Sequence, residues 1–172
     1  MKYLSIRQPW AHLILRSQAY TVTRTRQTAG LFIPDESEEQ GHKDVENRSW
    51  NTEYRGPLLI HASKKIEKMD AVHVHNAHRG TRLACGYPTA PLQAGGIIGV
   101  AWLAGCADHS ISSPWFDGEG YGWLLWHPEP LPFSPLKGGL GLRDVSAKYL
   151  LPETLEAYEA WREKVRAARC GT

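Results

Sequence analysis

The sequence predicts a small α+β domain, a closed or partly closed β-barrel of about six short strands flanked by helices, with a further helix at the C-terminus. Two observations predict it. Short apolar or alternating runs bounded by Gly and Pro turns outnumber the helical stretches, and they do not alternate with helices as a doubly wound sheet requires. A chain of 172 residues fits one domain. At that size it buries about 70% of the surface its unfolded form exposes, so no disulfide or metal staple is required. Hydrophobic residues at 42% and charged residues at 22% exclude a disordered chain, a collagen and a bare coiled coil.

In chain order, Leu4 and Ile6 alternate with Tyr3, Ser5 and Arg7, which predicts a strand. Pro9 suits the first position of a helix, and Trp10, Leu13 and Ile14 follow at helical spacing to about Arg16. Residues 17–40 read as an excursion from the fold, a hairpin with a strand over Tyr20–Arg26 and an acidic, solvated run over Asp35–Gln40. Lys43–Trp50 is expected to be a strand with Asp44, Glu46, Arg48 and Trp50 on one face. Tyr54–Pro57 is a turn, and Leu58–Ser63 is an apolar, central strand. From Lys64 to about Asn76, Ile66, Met69, Val72 and His73 stand at helical spacing, followed by a long loop over 77–95.

Ile97–Leu103 and Tyr121–Trp126 are two further apolar strands. Four prolines between Pro128 and Pro135 argue against a regular strand or helix there. Leu140–Val145 is a last short strand. Pro152 opens a helix with Leu155, Tyr158, Trp161 and Val165 on one stripe, acidic residues early and basic residues late, and Gly171 at its end. The barrel is thus assigned to residues 1–150 with an insertion at about 17–40, and residues 151–172 to an amphipathic helix packed on it or extending it.

The formal net charge of +2 is compatible with a nucleic-acid partner without arguing for one. Cys85, Cys106 and Cys170 are odd in number and form no CxxC pair, which suits a reduced compartment. No stretch approaches the ~18 apolar residues of a membrane span, and charge and Pro9 come too early for a signal peptide. A cytoplasmic location and no membrane partner are expected.

Two segments carry the most chemistry. Gly41–Trp50 packs Lys43, Glu46, Arg48 and Trp50 into one short strand and its entrance. A carboxylate beside cations stays ionised and accepts hydrogen bonds from a base edge or an amine; an ordinary surface ion pair is the plainer account. Ser5–Trp10 runs a strand into a helix N-terminus, where free N–H groups and Arg7 attract an anion and Gln8 offers both donor and acceptor. Helix capping and a core Trp10 explain the same residues.

Together these segments resemble a known family. Leu4-Ser5-Ile6-Arg7-Gln8-Pro9-Trp10, the pattern Gly41-x-Lys43-x-x-Glu46-x-Arg48, and Tyr54-Arg55-Gly56-Pro57 running into Leu58–Ser63 are similar to the ASCH (activating-signal-cointegrator homology) domain. Ile97–Ala101, Tyr121-Gly122-Trp123 and Lys137-Gly138-x-Leu140-Gly141-Leu142 fit it too, so the resemblance covers roughly residues 3–146. It implies a PUA-like barrel, akin to the RNA-binding modules of pseudouridine synthases and tRNA transglycosylases. It also implies a cleft lined by Lys43, Glu46 and Arg48 with Ser5, Arg7 and Gln8 as neighbours, and an RNA or nucleotide ligand. Some members are amidohydrolases that deacetylate 4-acetylcytidine with a Lys, a Thr and a Glu. Lys43 matches their Lys, but Glu46 stands where their Thr would be and cannot be that nucleophile. The insertion at 17–40 and the helix from Pro152 depart from the family's pattern.

In such a cleft a base stacks on an aromatic ring, with Trp50 and Trp123 as candidate platforms and Trp10 nearby. Glu46 accepts from an exocyclic amine and the cations meet phosphate. His61, Ser63 and Lys64 end the next strand and line the same mouth, although His61 also reads as a satisfied core histidine. The leading expectation is therefore a module that binds RNA, a nucleotide or a modified nucleoside, with no cofactor. One alternative is a small hydrolase of modified nucleosides or RNA, with Lys43 as base or nucleophile and Glu46 beside it. Another is a protein-interaction adaptor using the terminal helix or the insertion.

Other signals are weaker. On a helix His75 and His78 share a face but His73 does not, and although nearby Cys85 could supply a further ligand, no metal is assigned to them. Arg24, Arg26, Arg79 and Arg82 read as solvated loop charges. His109 near Ser110, Ser112 and Ser113 lacks a nucleophile elbow, and no phosphate-binding GxxxxGK[ST] loop exists.

Overall fold

The computed structural model describes residues 1–16, 18–28, 31–67, 81–83, 91–108 and 110–170, with side chains described over 1–16, 41–67, 91–108 and 110–169. The elements are β1 (Lys2–Gln8), α1 (Trp10–Leu15), β2 (Gln18–Thr28), β3 (Leu31–Gly41), β4 (Val45–Arg48), β5 (Gly56–Ile66), β6 (Thr81–Leu83), β7 (Gly96–Ala107), β8 (Tyr121–Pro135) and β9 (Leu142–Asp144). A single 3-10 turn over Ala147–Tyr149 leads into α2 (Pro152–Cys170).

Six strands form one sheet in the order β4-β8-β7-β5-β1-β9, and β3-β2-β6 form a second. β1 runs parallel to β5 and antiparallel to β9. The fold is α+β with a C-terminal helix, but the main sheet is open, with β4 and β9 at its edges, rather than a closed barrel. It is nevertheless strongly curled. In a flat sheet β4 and β1 would lie four strand spacings apart, about 19 Å, yet Arg48 Nη2 of β4 donates to Ser5 O of β1 at 3.1 Å. The curl brings the two strands to face each other across a cleft.

Both faces of the sheet are covered, which explains the nearly continuous apolar runs. Leu4, Ile6, Leu58, Ile60, Ala62, Ala101 and Leu103 pack on the concave side with Ile14, Trp123 and Leu125. Tyr3, Leu59, Ile97 and Val100 pack on the other, under Tyr158, Trp161 and Val165 of α2. A smaller cluster joins Leu13 and Val45 to Trp115 and Phe116. The predicted stripe of α2 is thus its buried face, and Trp161 Nε1 donates to His127 O at 2.9 Å.

The hairpin expected over 17–40 is formed by β2 and β3, with the acidic run Asp35–Gln40 within β3. Other expectations are corrected. β4 ends at Arg48, so Asp44 and Trp50 lie outside the strand. β5 continues through Lys64, Lys65 and Ile66, where the spacing predicts the start of a helix; residues 68–76 lie outside the described residues, as do His73, His75, His78, Cys85, His109 and Gly171. The proline-rich stretch is part of β8. Pro128, Pro130 and Pro132 stand at alternate positions, so their missing N–H groups fall on one side of the strand, and β4 pairs with β8 only over Tyr121–Leu124. Among the described residues no helix is long and apolar enough to cross a membrane.

Candidate functional site

The curl leaves a cleft of about 1100 Å³ between β1, β4, the end of β5 and the loop that follows β8. Its floor is a chain of charges. Lys43 is only 2% exposed, held at the entrance of β4 by its backbone N–H donating to Leu13 O at 2.8 Å. Its ammonium donates to Val45 O and to Glu46 Oε2, the latter at 2.8 Å. The other carboxylate oxygen of Glu46 meets Arg48 Nη2 at 3.0 Å. Glu46 is therefore clamped between two cations with both oxygens engaged, and each oxygen keeps a lone pair for a further donor.

The walls carry a second ion pair. Arg7 Nη1 donates to Glu67 Oε1 at 2.8 Å and Trp10 Nε1 to Glu67 Oε2 at 3.0 Å. Burial pushes the Glu67 carboxyl up, but these two hydrogen bonds and the charges of Arg7 and Lys65 outweigh it and hold it below the usual carboxylate range. The Lys43 ammonium lies 5.9 Å from the centre of the Trp10 ring, at the outer limit of a cation–π contact.

His61 comes from β5, where its side chain is 1% exposed. Its Nε2 lies 2.9 Å from Leu136 O. A carbonyl only accepts, so Nε2 carries the proton and Nδ1 is an acceptor. Burial pushes the imidazole below its ordinary value, partly offset by backbone hydrogen bonds, that to Leu136 O first among them. Gly138 of the 136–141 loop lies directly on this ring: a Cβ there would come within 2.6 Å of His61 Cε1 and 3.0 Å of Ser5 Oγ. Gly138→Ala is expected to push the loop off His61 and to cost about 1–3 kcal/mol, read as a lowered thermal melting temperature. An unchanged melting temperature would show that the loop yields freely.

Of the residues singled out in the sequence, Ser5, Arg7, Trp10, Glu46, Arg48, His61, Ser63 and Lys64 line this cleft. Lys43 lies behind Glu46 rather than at the surface. Gln8 is turned away and 1% exposed; its amide donates to Gln93 O and its carbonyl accepts from the His12 N–H, so it serves the fold. At the first helix, where an anion is expected, α1 has only six residues and the His12 N–H is taken by the Gln8 carbonyl. Trp123 is fully buried and offers no face to a base. Trp50 packs edge-on against it, with ring centres 4.6 Å apart, away from the cleft. Trp10 is the aromatic that reaches the cleft. Sequence reasoning missed Glu67 and the loop residues Leu136, Lys137, Gly138 and Gly139 as site components. The Lys137–Leu142 motif was the available signal for the loop.

A family model for the ASCH domain matches residues 39–170. The chain belongs to the ASCH domain family. No curated protein matches it. The match takes in Lys43, Glu46, Arg48, His61 and the loop over the cleft; β1 and α1, which bring Ser5, Arg7 and Trp10, precede it. It also takes in α2, expected above as an addition to the domain. The ASCH domain is a PUA-like fold family, consistent with RNA binding.

Proposed function

We propose that this ASCH domain binds RNA and takes one unpaired base, or the corresponding free nucleotide, into the cleft between β1 and β4. The observation that carries the reading is a pair of orphaned polar atoms. Among the described residues, Arg48 Nε and His61 Nδ1 are buried without a hydrogen-bond partner, and both residues line the cleft beside the Glu46 carboxylate. An unpaired buried polar group costs about 1–3 kcal/mol, so a ligand that pairs with one relieves that cost on binding. The site offers a donor at Arg48 and acceptors at Glu46 and His61, which suits a base edge carrying both an amino or imino N–H and a carbonyl. Trp10 supplies the stacking surface, and Arg7, Lys64 and Lys137 stand where the phosphates would run. A hydrolase with Lys43 as base or nucleophile is less well supported, because its ammonium is bonded to Val45 O and Glu46 beneath the cleft.

The reading predicts a pH dependence. Protonation of Nδ1 turns the His61 acceptor into a donor, so the cleft loses one of its two acceptors. RNA affinity is expected to be full above the ordinary histidine value of 6.5 and to fall as pH drops through the lowered value of the folded ring. The same depression makes the fold lose stability over that window, since the unfolded chain takes the proton first. Affinity measured by fluorescence anisotropy across the window should decline in the wild type and stay flat in His61→Asn. A decline of equal size in His61→Asn would remove His61 from the site.

A further inference from the structure

Away from the cleft, α2 and the sheet enclose a second hollow of about 440 Å³, lined by Pro57, Trp102, Arg162, Glu163, Arg166 and Arg169. It shares no residue with the first. Arg162, Arg166 and Arg169 stand at i, i+4 and i+7, so the last two turns of α2 present them on one side. The Arg169 guanidinium lies 4.3 Å from the centre of the Trp102 ring, and that of Arg162 lies 5.7 Å from the Tyr158 ring. Trp102 is paired in register with Trp126 on β8. Cross-strand partners share a face of the sheet, so the two indoles are neighbours there. Trp126 is 58% exposed and leaves an indole face open to a partner.

Arg162 meets Glu159 at 2.9 Å and Arg166 meets Glu163 at 3.4 Å, with side chains half exposed or more except Arg162 at 43%. Exposed i,i+3 pairs of this kind are weak and exchange readily for a stronger anion. Arginine also binds phosphate bidentately. Three arginines lining the groove with Trp102, and the exposed Trp126 opposite it on the next strand, combine a phosphate track with a stacking platform.

We infer that this groove is a second contact surface for single-stranded nucleic acid, with Arg162, Arg166 and Arg169 on the backbone and Trp126 beneath a base. It does not depend on the cleft, and the two surfaces can be scored separately. The probe is a labelled single-stranded RNA, long enough to reach both, titrated by fluorescence anisotropy over a range of salt. Each phosphate that the protein no longer neutralises lowers the slope of log K against log salt by about 0.7. The triple variant R162Q/R166Q/R169Q is expected to bind more weakly, with the slope reduced by about 2. Trp126→Ala, an exposed site that the core does not need, should weaken binding with the slope unchanged, because stacking releases no counterions. A double variant that removes the carboxylate at the centre of the cleft and the lysine beneath it, K43M/E46L, should lose affinity while the reduction in slope caused by the triple variant persists in its background. Affinity and slope unchanged in the triple variant would overturn the inference and leave an acidic protein surface as the partner class for these arginines. Absence of RNA binding by the wild type would overturn it as well.

Discussion

Glu46→Ala is expected to be the most damaging change in the cleft, destabilising the domain by about 3–5 kcal/mol. The reason lies beneath the carboxylate. The Lys43 ammonium is 2% exposed, and among the described residues Glu46 is the anion set against it, at 2.8 Å. Removing Glu46 leaves a buried cation with Val45 O as its hydrogen-bond partner and strips Arg48 of its carboxylate as well. Removing both members of the buried pair is a different matter. Replacing such a pair by apolar residues of similar volume is often neutral, so K43M/E46L should unfold near the wild-type denaturant midpoint, with Arg48 at 23% exposure turning to water. Chemical denaturation of the two variants and the wild type checks this. Equal midpoints for Glu46→Ala and wild type would mean that Lys43 is not held as a buried cation.

Trp161→Ala should cost a similar amount, about 3–5 kcal/mol, through a different mechanism. Trp161 is 1% exposed between α2 and β8, among Tyr3, Leu59, Val100 and Tyr158, and its indole N–H is spent on His127 O. Truncation removes the centre of the cluster that covers one face of the sheet and orphans the carbonyl. For a domain of this size the loss corresponds to a melting temperature lower by roughly 10 °C. A shift of a degree or two would indicate that α2 lies on the sheet without stabilising it, and that the matched family domain needs only its strands.

The strands at the centre were legible because their chemistry is one-sided. Leu58–Ile60 and Ile97–Leu103 are apolar on consecutive positions, which only a strand covered on both faces requires. The stripe of Leu155, Tyr158, Trp161 and Val165 was equally plain. What stayed hidden depends on neighbours distant in sequence. Lys64–Ile66 scans as the start of a helix until β1 pairs with it, Ile66 lying opposite Gln8. The prolines of β8 contradict a strand unless the covered edge is known to be β7's alone. The Lys43-x-x-Glu46-x-Arg48 spacing identifies the charged cluster, but not that Lys43 lies under Glu46, since that follows from Leu13 O fixing the backbone. Trp50 and Trp123 read as stacking platforms from the sequence, but Trp123 is fully buried and Trp50 packs edge-on against it, contacts that no local pattern announces. Glu67 falls in a segment that scans as helix, and nothing local marks it as the partner of Arg7 and Trp10, some sixty residues earlier.

The most direct test of the proposed function is fluorescence anisotropy of a short labelled single-stranded RNA, of the length of a few nucleotides, titrated with wild type and with the folded K43M/E46L double variant. Circular dichroism of the same samples confirms that both are native. The account predicts micromolar binding by the wild type that weakens with salt, and a loss of about tenfold or more in the double variant, the scale of one good base contact. Equal affinity of the two proteins would contradict it, because the carboxylate at the centre of the cleft would then have no part in holding the RNA.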